Sequence, residues 1–450
     1  MTTDWDIESE SERMKEIFRH ISSVIAVVMC ALCAAGCVYD RAGECGPDNY
    51  LLVIHISPVD AVSGEVPPAQ ITEKIRTLRV VVLNETALEC NKLITVDDPE
   101  TVVAARFMYD FSLPTTAGEK EIYLIANEAG VSGLQYQPAD ASDVLPDGLP
   151  DNLTELLESY DTASDASEFR RVMSAVYFAP DFTPEDDGAL YLPYTSLYSG
   201  IETVQSAVTT VSMHLVPVAT KLTFEFVNKR ENVVQVNDIT VTQADSEHFL
   251  FARVGDDDFE KSFDGRDYYW IDWLAKVSAA LHELGGYYEN VDSNTKYGWI
   301  SDYEKPQTSE LSPAVLVNAA SGVSVPAADV ATETPGMLTV GPFYLPESIN
   351  EYTYQGTYKD DNGQWVTGEI TEQIYYLTLG LHDVTSDEAD DPKFNDVVIS
   401  NLKSLFRNTS VIIKVTMSQG EVAVYAEIAD WTVRRADGWV VEGPEGGEIK

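Results

Sequence analysis

Small residues directly ahead of a cysteine are the substrate pattern of lipoprotein signal peptidase, and the chain carries it at Ala34-Ala35-Gly36-Cys37. Cleavage after Gly36 would make Cys37 the new N-terminus, its thiol bearing a diacylglyceryl chain. The apolar run Ile21 to Gly36 is sixteen residues long, short of the roughly twenty that a membrane-spanning helix needs. With Lys15, Arg19 and His20 on its leading side, it reads as the hydrophobic stretch of an export signal. An ordinary secretory signal cut elsewhere and a retained helix are the competing readings. Residues 1–13 are acidic, the wrong sign for such a leader, whereas Met14-Lys15 would make a regular start. Translation is therefore expected to begin at Met14, the alternative being a long leader that export tolerates.

Other chemistry is sparse. Of five cysteines, Cys30 and Cys33 leave with the leader and Cys37 takes lipid, which leaves Cys45 and Cys90 in an oxidising compartment. A Cys45–Cys90 disulfide would close a long loop, and two separate thiols fit equally well. His282-Glu283 begins a zinc-protease pattern, but the fifth position is Gly286 and the motif fails. His55 and His214 lie in strand-like runs, where core or surface roles are the ordinary reading. No nucleophile elbow, phosphate loop or dinucleotide fingerprint occurs. With 74 acidic residues, neighbouring carboxylates arise by chance and no glycosidase pair stands out. Asp256-Asp257-Asp258 and Asp387-Glu388-Ala389-Asp390-Asp391 lack the spacing of a calcium-binding EF-hand loop and read as solvated loops. No catalytic residue, metal ligand or cofactor is expected.

The formal charge is −45, and the six acids and three bases of the first 36 residues leave −42 for the remainder. Such a charge repels nucleic acid and anionic lipid, and both are poor partners; no nucleic acid is expected. An apolar fraction of 44% with 10% aromatics argues for packed cores rather than disorder. The 414 residues after Gly36 suffice for two ordinary domains.

The elements that must position anything on this chain are strands. Leu51 to Ile56 is apolar nearly throughout, which predicts a first strand covered on both faces. Leu78 to Leu83, Arg106 to Leu113 and Glu121 to Ala126 follow. Two short helices are predicted, one capped by Asp151 or Asn152 and running to Tyr160, the other over Ser167 to Val176. Strands resume at Leu190 to Pro193 and along Val208 to Val227, where Pro217 predicts an edge or a bulge. Further strands are expected over Asn237 to Thr242, His248 to Arg253, Met337 to Leu345, Glu351 to Lys359, Gln364 to Leu381, Val411 to Met417 and Glu421 to Ile428. Asp361-Asn362-Gly363 and Gln419-Gly420 are hairpin-turn signals. A helix is predicted over Tyr268 to Leu284, and residues 285–334 read as a long irregular insertion. The fold class is mainly β, two tandem β-sandwich domains with a few short helices. The division is 1–36 leader, 37–48 lipidated linker, 49–207 first domain and 208–450 second domain.

Several stretches, in order, resemble the fimbrillin superfamily of type V pili, and within it the anchor-type (FimB-like) subunits. They are Cys37-Val38-Tyr39-Asp40 followed by Cys45, Ile122 to Asn127, Leu190 to Thr195, Val211 to Phe226, Phe343 to Glu347, Arg407-Asn408-Thr409, and Asp430-Trp431. The resemblance implies two transthyretin-like sandwiches exported as a lipoprotein to the surface of the outer membrane, within a fimbrium. It also implies a trypsin-like cut after Arg or Lys in stalk subunits, which frees the first strand's slot for a strand donated by the next subunit. In anchor-type members the cut is not made and the lipid stays. Cleavage after Arg76 or Arg79 would release Leu51 to Ile56, whereas cleavage after Arg41 would remove only the lipid leash. A Cys45–Cys90 bond would oppose release and favour the anchor. The implied partners are other fimbrial subunits, the outer membrane through the lipid, and, for a tip subunit, a host or bacterial surface ligand. A glycan-binding surface lipoprotein is the alternative, with Trp270, Trp273, Trp299 and Trp365 as sugar-stacking candidates.

Overall fold

The computed structural model describes residues 50–58, 72–96, 108–185, 189–203, 208–253, 304–318 and, with short interruptions, 320–430. The chain opens with β1 (Tyr50–Pro58), β2 (Thr72–Glu73), β3 (Thr77–Leu83), β4 (Leu88–Thr95), β5 (Tyr109–Thr115), β6 (Gly118–Ala126) and β7 (Gln135–Tyr136). Helices α1 (Leu153–Glu158) and α2 (Ala166–Ala175) follow, then β8 (Val176–Phe178), β9 (Ala189–Leu190), β10 (Tyr194–Thr203) and β11 (Val208–Pro217). Next come β12 (Thr220–Asn228), β13 (Val234–Asp245), β14 (His248–Phe249), β15 (Leu311–Val317), β16 (Val323–Val325) and β17 (Gly336–Leu345). The last are β18 (Ser348–Ile349), β19 (Tyr352–Lys359), β20 (Trp365–Glu372), β21 (Tyr376–Asp383), β22 (Lys393–Val398), β23 (Ser404–Leu405), β24 (Thr409–Ser418) and β25 (Glu421–Asp430). The protein is mainly β.

The first sheet has the order β4-β3-β6-β10-β11-β1-β5. Among the described residues, β10 joins β11 through the pairs Tyr194↔Pro217 and Thr195↔Val216. At that narrow join the sheet turns back on itself. Leu52, Ile54 and Ile56 of β1, Phe111 and Leu113 of β5, and Met213 and Leu215 of β11 therefore share one core with Leu78, Val80, Val82, Ile122 and Leu124. On the other side of β3 and β6, Val81, Leu83, Tyr123 and Ile125 pack under α1 and α2 through Leu156, Leu157, Phe169 and Met173. Burial on both faces is what the unbroken apolar run of β3 anticipates. Both helices begin where short polar side chains cap them: Asn152 accepts from Glu155 N at 3.2 Å and Asp165 from Glu168 N at 2.9 Å.

The second core lies between the sheet β17-β12-β24-β25 and the sheet β15-β13-β21-β22, to which β16 adds beside β13. Alternation drives it: Leu222, Phe224 and Phe226 of β12 and Val411, Ile413 and Val415 of β24 point inward, between partly exposed neighbours. The β24–β25 register Ser418↔Glu421 leaves two residues between the strands, the hairpin that Gln419-Gly420 signals.

Several expectations are revised. β1 is covered on one face only; Leu51 and His55 are exposed on the other, because β1 lies in the outermost layer. β4 was not anticipated, since Glu89, Asn91 and Lys92 break its apolar pattern. The chain stays in the first sheet through Pro217, so the division at 207/208 falls ahead of an inner strand of that sheet. Pro217 itself ends β11 and is neither an edge nor a bulge. Gln364 to Leu381 is two strands, β20 and β21, which lie in different sheets. Within 285–334, the expected irregular stretch, β15 and β16 pair with β13. The helix expected over Tyr268 to Leu284 and the turn at Asp361-Asn362-Gly363 lie outside the described residues, although β19 and β20 do pair antiparallel.

Candidate strand-exchange site

β1 reaches the rest of its sheet only through distant partners. It runs parallel to β11 over eight residue pairs, Leu51↔Val208 to Pro58↔Leu215, and antiparallel to β5 over seven, Tyr50↔Thr115 to Ile56↔Tyr109. Leu52 and Ile54 are fully buried and Ile56 nearly so. At about 1.5–3 kcal/mol for each buried aliphatic side chain, these three contribute on the order of 5–9 kcal/mol. The outer face carries His55, whose Nδ1 meets Asp110 Oδ1 at 2.6 Å in an exposed pair. A one-sided, hydrogen-bonded strand with a row of apolar pockets beneath it can be replaced by another extended segment of the same pattern.

The next described element after β1 is β2, which pairs in parallel with β9 as Thr72↔Ala189 and Glu73↔Leu190. Lys74 N donates to Leu190 O at 2.9 Å. Asn127, in the left-handed conformation at φ 57, holds the following segment from both sides. Its Oδ1 accepts from Arg76 N at 2.8 Å, and its Nδ2 donates to Lys74 O and Leu192 O. The Arg76 guanidinium forks onto Glu185 and stacks 3.8 Å over the Tyr191 ring, and the Glu185 hydrogen bond raises its pKa.

Arg79 differs sharply. It lies on β3, 3% exposed, with Nε and one terminal nitrogen each 2.6 Å from Glu128 and the other terminal nitrogen donating to Asn91. Cutting after Arg79 would require β3 to leave its sheet, whereas Arg76 sits in a connection. Cys90, on β4, is fully buried in the first core. Gly36, Cys37, Arg41 and Cys45 lie outside the described residues.

A second buried ion pair closes the end of β5. Glu89 of β4 accepts from Lys120 Nζ at 2.9 Å, from Asn84 Nδ2 at 2.8 Å and from the hydroxyls of Thr115 and Thr116. Burial alone would raise the carboxyl's pKa; the hydrogen bonds from Thr115, Thr116, Asn84 and Lys120 outweigh it and hold the value at about 2.

The two halves meet along a seam that pattern reading did not find. Arg407 is fully buried, forks onto Glu347, and donates to the carbonyls of Phe249 and Leu250 at 2.6 and 2.7 Å. Glu347 N donates to His248 Nδ1 at 3.2 Å, while β14 pairs with β8 and Leu250 and Phe251 enter the helical side of the first core. Burial and the neighbouring Arg407 charge push the His248 pKa well down. The sequence marks Arg407 in the Arg407-Asn408-Thr409 stretch, Glu347 at the end of the Phe343 to Glu347 stretch and His248 at the start of an expected strand, but not that the three meet.

Among the described residues no group of three or more His, Cys, Asp or Glu is placed to hold a metal ion, and no helix is long and apolar enough to cross a membrane. His282, the two acidic clusters, Trp270, Trp273 and Trp299 lie outside the described residues; Trp365, at the start of β20, is 69% exposed.

No protein-family model matches the chain, and no curated protein does. Solved structures overlap it loosely. The tip fimbrial protein Mfa3 of Porphyromonas gingivalis, with a C-terminal truncation, is 11% identical over 85% of this chain and all of its own, at a TM-score of 0.36. A fimbrilin (fimA) from Porphyromonas gingivalis W83 is 10% identical, covering 86% of this chain and 99% of its own, at 0.36. A putative cell adhesion protein from Parabacteroides distasonis is 12% identical, covering 85% and 97%, at 0.40. Overlaps this loose assign neither a family nor a role to the chain.

Proposed function

We propose that this chain is a structural subunit of a fimbria, carried to the outer-membrane surface by a lipid on Cys37, and that it serves as the base that holds the fibre. It joins its neighbour by β-strand addition and performs no catalysis. The observation that carries this reading is the placement of β1: the leading strand fills a slot between β11 and β5 over an apolar row, and residues 59–71 alone lead from it to β2. The resemblance of Cys37-Val38-Tyr39-Asp40 and the later stretches to anchor-type fimbrillins supports the same reading. Retention of the strand is favoured by the fixed surroundings of Arg76, since a protease must lift the chain off Asn127 and Leu190 before cutting there. A Cys45–Cys90 bond would add to that retention.

The test is Cys37→Ala in cells that display the fimbria. Fibres shed into the medium are the expected result, together with a lipid-blocked Cys37 at the N-terminus of the mature wild-type protein. Fibres that stay attached overturn the base role, and a free N-terminus directly after Arg41, Arg76 or Arg79 assigns the chain to the stalk instead. Exposed Trp365 favours one other reading, a tip or glycan-binding surface protein, which binding of the purified chain on a glycan array would reveal.

A further inference from the structure

β2 is only two residues long, yet it touches the second half of the chain. Glu73 Oε1 accepts from Lys221 Nζ on β12 and from the Tyr344 hydroxyl on β17, both at 2.7 Å. The side chains of Glu73 and Lys221 are each 15% exposed. Tyr194 of β10 stands in the same cluster: it is buried and feels the Glu73 charge, and its hydroxyl has no hydrogen-bond partner among the described residues. A cation and a phenol that donate to one carboxylate form a site for an anion, and the backbone ladder of β9 aligns the strand that delivers it.

We propose that Lys221 and Tyr344 form a carboxylate-receiving site, filled within the intact chain by Glu73 and, once the leading segment is withdrawn, by an acidic side chain of a donated strand added along β9. The donated strand is thereby selected by charge as well as by its apolar pattern. Lys221 and Tyr344 belong to β12 and β17 of the second half, while β2 pairs with β9 of the first, so seating or loss of the leading segment is felt by both halves. Glu73 leaves with any fragment that ends at Arg76. Lys221 and Tyr344 then lose the carboxylate they share, and an incoming segment lacking an acid leaves a mostly buried cation and a hydroxyl without it.

The exchange in this proposal rests on the strand-addition reading; the latch within the intact chain does not. The experiment uses the full chain with a single-site protease sequence inserted directly after Arg76, nicked after purification, and a labelled synthetic peptide of residues 50–76 as the entering strand. The peptide should bind about tenfold more tightly than its Glu73→Gln counterpart, and Lys221→Met in the receiving chain should abolish that difference. Equal binding of the two peptides to the unmodified receiver overturns the proposal. In the un-nicked chain, Glu73→Gln and Lys221→Met should lower the melting temperature, and the double variant should fall no further than the worse single. Strictly additive losses also overturn it. Coupled losses without any peptide exchange uphold the latch and refute strand addition at this site.

Discussion

Replacing Glu89 by glutamine tests how the corner beside β1 is held. The substitution keeps the shape and removes the charge, which leaves Lys120 Nζ, 1% exposed as a residue, facing a neutral amide. Between its ordinary value of 4.5 and about 2, the depressed pKa of Glu89 corresponds to about 3 kcal/mol of stability. The sign follows from the direction. The folded state binds the Glu89 proton less readily than the unfolded state, so the contribution is complete above pH 4.5 and is lost as pH falls toward 2. At pH 7 the Glu89→Gln variant should therefore be about 3 kcal/mol less stable, a drop of about 6–12 °C in the melting of the first half. The deficit should shrink through pH 4 and vanish near pH 2. Scanning calorimetry of both proteins from pH 7 to pH 2 measures this. Two profiles that stay parallel across the range would refute the assignment of the charge to Glu89.

Other substitutions probe the remaining layers. Ile54→Asp puts a charge into a fully buried position and should cost about 4 kcal/mol or more, with hydrogen exchange rising along β1, whereas Leu51→Ser on the exposed face should stay within about 1 kcal/mol. Arg407→Met strands the buried Glu347 carboxylate and should cost about 3–5 kcal/mol, read by chemical denaturation; adding Glu347→Gln should recover part of the loss. Trp365→Ala should leave the melting temperature nearly unchanged, within about 0.5 kcal/mol, because the ring is mostly in solvent.

What the sequence made legible follows from how each element is stabilised. β3 and β6 are apolar runs because helices cover one side and β1, β5 and β11 the other, so composition alone marks them. Helix α1 is announced by Asn152 and by the inward Leu153, Leu156 and Leu157 at helical spacing. β4 stayed hidden because Glu89 and Asn91 are polar residues that face partners, and their satisfaction depends on Lys120 and on the carbonyls of Leu157 and Tyr160. β15 contains Pro313 and stands at a sheet edge, which is where proline is tolerated but where pattern reading expects a loop. Of the candidate site, the strand β1 and the arginines could be named, yet not that Arg79 is buried. The Glu73 cluster joins residues 148 and 271 positions apart, and no local pattern encodes such a meeting.

The direction of β1 has a mechanical consequence. A pull on the leading end of the chain acts along the strand, so its eight pairs with β11 and seven with β5 are loaded in shear and must give way together rather than unzip one by one. Stretching single molecules from that end should therefore meet one high rupture peak before the first sandwich yields; a series of low, evenly spaced steps would show that the strand peels instead.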